Sequence, residues 1–93
     1  MKDFVPDEYF LSQNYPDPFK EKTTIKYCLP ENVKVKLELF DSKKNKIKTL
    51  VDETKEAGTY QVEIDGKELQ MGYYYYKMQA GSYEKTKKIR IER

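Results

Sequence analysis

A chain of 93 residues and 11.1 kDa is long enough for one small domain and too short for two, because an independent fold takes more than about 50 residues. Hydrophobic residues make up 38% and charged residues 37%, a balance that would suggest disorder were 14% of the chain not aromatic, nine residues of it Tyr. The absence of His removes the usual general base near neutrality and the commonest metal ligand, and the lone Cys28 excludes an intrachain disulfide. Catalytic, cofactor and metal sites are therefore not expected.

Period-2 alternation dominates the chain and helical periodicity is nearly absent, so it reads as successive strands. Residues 1–8 read as a flexible N-terminal linker and residues 9–93 as the domain. A short strand near Tyr9 to Gln13 precedes TTIKYCL, where Ile25, Tyr27 and Leu29 share one face and Pro30 ends the run. Val33 to Asp41 alternates Val33, Val35, Leu37 and Leu39 against Lys34, Lys36, Glu38 and Phe40. Ser42 to Lys46 is a polar turn and Ile47 to Val51 a short returning strand, with Asp52 to Ala57 as an exposed connection. Gly58 to Asp65 points Tyr60, Val62 and Ile64 inward, and Asp65-Gly66 supplies a turn through the freedom of Gly at positive φ. Gly72 to Ala80 places Tyr74, Tyr76 and Met78 opposite Tyr73, Tyr75 and Lys77. Tyr83 to Ile91 closes the chain with Ile89 and Ile91 together.

About seven short antiparallel strands with regular turns predict an all-β fold, a β-sandwich of immunoglobulin or fibronectin type III character without a disulfide. Gly72-x-Tyr74-x-Tyr76 has the form of a tyrosine corner, in which a Tyr hydroxyl bonds back to upstream backbone. Tyr76 then stands where an antibody domain carries its second Cys. Tyr27, Gly58, Tyr60, Gly72, Tyr74 and Tyr76 are the expected structural positions.

The charge is unevenly spread: residues 1–21 hold two bases and five acids, residues 77–93 six bases and two acids. Sixteen of the 18 bases are Lys, which lacks the planar fork of Arg, so nucleic acid is not an expected partner. No apolar run approaches the ~20 residues that span a bilayer, so no membrane insertion is expected. MKDFVPDEYF lacks the apolar centre of a secretory signal, and any export signal would belong to a longer precursor.

The segment LSQNYPDPFKEKTTIKYCL, Leu11 to Leu29, resembles the opening of the C-terminal sorting domains of the bacterial type IX secretion system and the similar Ig-like domain of flagellar hook-capping proteins. That opening runs Leu-Ser-Gln-Asn-Tyr-Pro-Asn-Pro-Phe-Asn-Pro and then steps through Thr into Ile-x-Tyr-x-Leu-Pro. Leu11 to Pro16, Pro18, Phe19, Thr23, Thr24, Ile25, Tyr27, Leu29 and Pro30 match it. Asp17 replaces Asn, and Lys20-Glu21 replace Asn-Pro. Ala57-Gly58-x-Tyr60, the Gly72 to Gly81 run GYYYYKMQAG and Thr86 to Ile89 are similar to later steps of the family, so the likeness spans about Tyr9 to Arg93.

The resemblance implies a non-enzymatic signal that directs a cargo protein across the outer membrane. It implies partners of shuttle or sortase type in that membrane and a cargo domain upstream in the precursor. The location implied is secreted or on the cell surface, reached through the periplasm of a Gram-negative bacterium. A closing strand so near Arg93 suits a terminal signal better than an internal module. Two alternatives remain, a structural Ig-like spacer or assembly module and a carbohydrate-binding module using Tyr73 and Tyr75.

Three groups are candidates for partner recognition. Tyr15, Pro16, Pro18 and Phe19 would form an outward loop, or Tyr15 and Phe19 would plug the end of the sandwich. Tyr73 and Tyr75 with Lys77 would form an aromatic stripe, or lie under neighbouring Lys stems. Lys85, Lys87, Lys88 and Arg90, continued by Arg93, would be read as a strand edge or would protect that edge from unwanted pairing. Asp41, Asp52 and Asp65 are read as turn residues and Cys28 as an inert strand residue.

Overall fold

The computed structural model describes residues 6–17, 19–67 and 69–92; the expectations placed on Pro18, on Arg93 and on linker residues 1–5 lie outside the described residues. Seven strands follow one another: β1 (Phe10–Leu11), β2 (Lys22–Leu29), β3 (Val33–Asp41), β4 (Lys46–Lys55), β5 (Gly58–Asp65), β6 (Gly72–Ala80) and β7 (Tyr83–Ile91). They form two antiparallel sheets, ordered β1-β2-β5 and β4-β3-β6-β7, and no helix occurs among the described residues. The all-β sandwich without a disulfide is the observed architecture.

The alternation read from sequence is what closes the two layers. Ile25, Tyr27 and Leu29 of β2 face Val35, Leu37 and Leu39 of β3, Tyr74, Tyr76 and Met78 of β6, and Ile89 and Ile91 of β7 in one core. Burying each such side chain contributes about 1.5–3 kcal/mol relative to leaving it in water. Two register shifts in the β3–β4 ladder disturb the alternation around Glu38. That carboxylate stands opposite Lys77, is 7% exposed and lies 3.3 Å from the Lys46 ammonium.

Four details differ from the sequence reading. β4 runs to Lys55, so Asp52 to Ala57 is mostly strand, and Asp52 stands opposite Lys36 with its carboxylate 3.6 Å from the Lys34 ammonium instead of making a turn. In β5 Ile64 is buried, but Tyr60 and Val62 are only half-buried, because this strand is an edge of the smaller sheet. Gly66 does not have positive φ; a Cβ there would meet Phe19 Cε2 at 2.9 Å, so the glycine is needed for close approach of that ring. Lastly, Pro6, within the expected linker, is buried.

Two Gly-x-Tyr steps share one construction. Gly72 (φ 142) precedes Tyr74, whose hydroxyl donates to the Gln70 carbonyl at 2.6 Å, which is the expected corner. Gly58 (φ 155) precedes Tyr60, whose hydroxyl donates to the Glu56 carbonyl at 2.7 Å, a second corner. A tyrosine that ties down the carbonyl four residues upstream fixes how each strand leaves its turn.

Candidate functional site

The opening segment Leu11 to Phe19 closes one side of the sandwich by joining both sheets. It starts in β1, beside β2, where Ser12 N–H donates to the Lys26 carbonyl and Tyr15 exchanges two 2.9 Å bonds with Thr24. It ends on the other sheet, where Phe19 N–H donates to the Arg90 carbonyl at 3.2 Å and Glu92 N–H donates to the Phe19 carbonyl at 2.8 Å. Gln13 Nε2 also donates to the Lys88 carbonyl at 2.8 Å. The Lys88 and Arg90 carbonyls and the Glu92 N–H, which would otherwise face water at the β7 edge, are thus paired.

Side chains hold this seam from within. Asn14 is buried; its amide donates to Pro16 O at 3.1 Å and Thr23 Oγ1 at 3.0 Å, and its Oδ1 accepts from Gln13 Nε2 at 2.7 Å. Thr23 Oγ1 donates to Pro16 O at 2.8 Å. Tyr76 reaches across the sandwich to donate to the Ser12 carbonyl at 2.6 Å. Among the described residues no buried side-chain polar atom is left without a partner, so the network is complete rather than half-satisfied.

This geometry divides the first recognition candidate. Phe19 is 2% exposed in the core, so its ring is not on the surface; it fills the space left by Gly66 and belongs to the end plug. Tyr15 is 80% exposed and, with Pro16 and Asp17, forms the outward part of the loop. The Tyr15–Pro16 peptide is cis.

Beside that loop lies the outer face of the larger sheet. A groove of about 260 Å³ is lined by Asp17, Tyr73, Lys88, Ile89 and Arg90. The Tyr73 ring carries the Lys88 ammonium 4.6 Å and the Arg90 guanidinium 5.8 Å from its centre. Such cation–π contacts hold the charged heads in place and occupy ring surface that a sugar would need for stacking. Tyr75 is half-buried and lines a wider groove of about 580 Å³ with Phe40, Lys44, Lys77, Glu84 and Thr86. Lys77 bridges to Glu84 at 3.3 Å.

The basic strand splits between two faces. Register sets Lys88 against Tyr75 and Arg90 against Tyr73 on the outer face, whereas Lys85 and Lys87 stand opposite Met78 and Tyr76 on the inner one. Inward-pointing lysines on an edge strand oppose addition of a further strand. Asn14, Gln13 and Thr23 are the positions that sequence reasoning passed over as individuals; the signal for them was the matched opening motif itself.

The chain matches the family model of the secretion system C-terminal sorting domain over residues 13–92. It belongs to that family, the type IX secretion sorting domains, and the match takes in the seam from Gln13 onward and every strand from β2 to β7. No curated protein matches the chain.

Proposed function

We propose that this domain carries an upstream cargo protein through the outer membrane of a Gram-negative bacterium to the cell surface or the medium, acting as a folded signal with no chemistry of its own. The observation that supports this most is the family match over residues 13–92. The partners are then outer-membrane proteins of the secretion machinery, of shuttle or sortase type. The outward loop Tyr15, Pro16 and Asp17, continuous with Tyr73, Lys88 and Arg90, is the surface they read. Phe19, Lys85 and Lys87 serve the fold and the edge instead. Residues 9–93 remain the proposed domain, with the buried Pro6 extending it towards the linker.

The test fuses the chain behind a periplasmically exported reporter in a host with a working type IX system. Reporter activity on the surface or in the medium, lost when the secretion system is deleted, is the expected result. Retention of a folded fusion in the periplasm of the competent host would remove the proposal.

A further inference from the structure

Every sandwich with open sheets has edge strands, and three of the four here are visibly blunted. β1 is two residues long. β4 carries two register shifts against β3 together with Lys46, Lys48 and Lys55. β7 is covered at one end by Gln13 and Phe19 and carries inward lysines at the other.

β5 has none of these devices. It pairs with β2 over all eight residues, Gly58 to Asp65, without a shift, and contains neither Lys nor Pro. The direction of its backbone groups follows from β2. Thr24 and Lys26 turn their N–H or C=O groups towards the opening segment, so Thr23, Ile25, Tyr27 and Leu29 turn theirs towards β5. Their partners Ile64, Val62, Tyr60 and Gly58 are then the hydrogen-bonded residues, and Thr59, Gln61 and Glu63 present N–H and C=O to the open side. The only charges on the strand are Glu63 and Asp65. Asp65 faces Lys22 across the ladder, while Glu63 faces Thr24 and enters no ion pair among the described residues.

We propose that the β5 edge docks an extended, basic strand of a partner protein, which adds beside Thr59, Gln61 and Glu63 and places a Lys or Arg against Glu63. Backbone bonds supply the affinity and the alternate side chains the selectivity. The edge lies on the smaller sheet, away from the Tyr73 face, and the inference does not depend on the secretory reading.

Two short synthetic peptides test it, one alternating Lys with Val and its twin alternating Glu with Val, with binding followed by fluorescence anisotropy and amide hydrogen exchange. The Lys peptide is expected to bind and to slow exchange at Thr59, Gln61 and Glu63. Glu63→Lys, at an exposed and unpaired position that leaves the fold intact, is expected to weaken the Lys peptide roughly tenfold and to reverse the preference in favour of the Glu peptide. Protection on β4 or β7 instead, indifference to the charge reversal, or no binding by either peptide would overturn the proposal. So would protection of the same three amides by raised protein concentration alone, because a second copy of the chain would then be the occupant.

Discussion

The hydroxyl of Tyr76, on an inner strand of the larger sheet, donates a 2.6 Å hydrogen bond to the carbonyl of Ser12, where the chain leaves the smaller one. One side chain thereby connects the two layers at the motif that marks the family. Tyr76→Phe keeps the ring and strands that carbonyl, so it is expected to cost about 1–2 kcal/mol in urea unfolding. A loss confined to a few tenths would mean that water replaces the hydroxyl.

Phe19 and Gly66 form a second coupled pair. Gly66→Ala forces its methyl onto the Phe19 ring and is expected to destabilise by about 1–3 kcal/mol. Phe19→Leu withdraws the ring edge, so the same glycine change should cost measurably less in that background. A double-mutant cycle reads the coupling directly, and strictly additive losses would show that the ring is not what requires the glycine.

Asn14→Ala removes two donated bonds and one accepted bond from a buried site. The expected loss is about 1–3 kcal/mol, with Gln13 losing one of its two anchors. Tyr15→Ala, five residues from the start of β1, alters an exposed side chain and should fall within about 0.5 kcal/mol of the parent. Thermal melts of the two variants side by side separate the structural half of the loop from its outward half.

Alkaline pH should unfold the domain through its buried phenols. Burial, with smaller contributions from Tyr60 and Glu53, pushes Tyr27 from 10.0 up to about 12, and burial also raises Tyr76. Each stays protonated in the fold at a pH where it would ionise in the unfolded chain. The stabilisation from Tyr27 is therefore complete below about pH 10 and is lost as pH rises from there towards 12, and that from Tyr76 is lost in the same direction. Urea midpoints are expected to be insensitive to these groups up to pH 9 and to fall above pH 10, with tyrosinate absorbance from Tyr27 and Tyr76 appearing only as the chain unfolds.

Most strands were readable because a hydrophobic set recurs every second residue, and β2, β5 and β6 stop before Pro30, Gly66 and Gly81; β3, β5, β6 and β7 begin and end where alternation places them. β4 was shortened because Asp52 to Lys55 has no apolar side to mark it, and an edge strand needs none. Tyr74's bond to Gln70 followed from Gly-x-Tyr spacing, and the same spacing at Gly58 and Tyr60 holds the second corner. The fate of the opening loop was not legible in this way. Two aromatics on a Pro-flanked segment look alike in sequence, and only the missing Cβ at Gly66 and the edge of β7 decide that Phe19 goes in while Tyr15 stays out. By contrast, the run of bases in β7 looks like one patch, but the period of two that puts Ile89 and Ile91 together already sends Lys85 and Lys87 one way and Lys88 and Arg90 the other.

The most direct test of the outward face as the surface that is read uses the triple variant Tyr15→Ala, Tyr73→Ala, Lys88→Ala fused to the exported reporter. All three side chains lie at the surface, so the variant should melt close to the parent. The expected result is a folded fusion held in the periplasm of a type IX-competent host. Delivery of that fusion to the surface as efficiently as the parent would contradict the assignment.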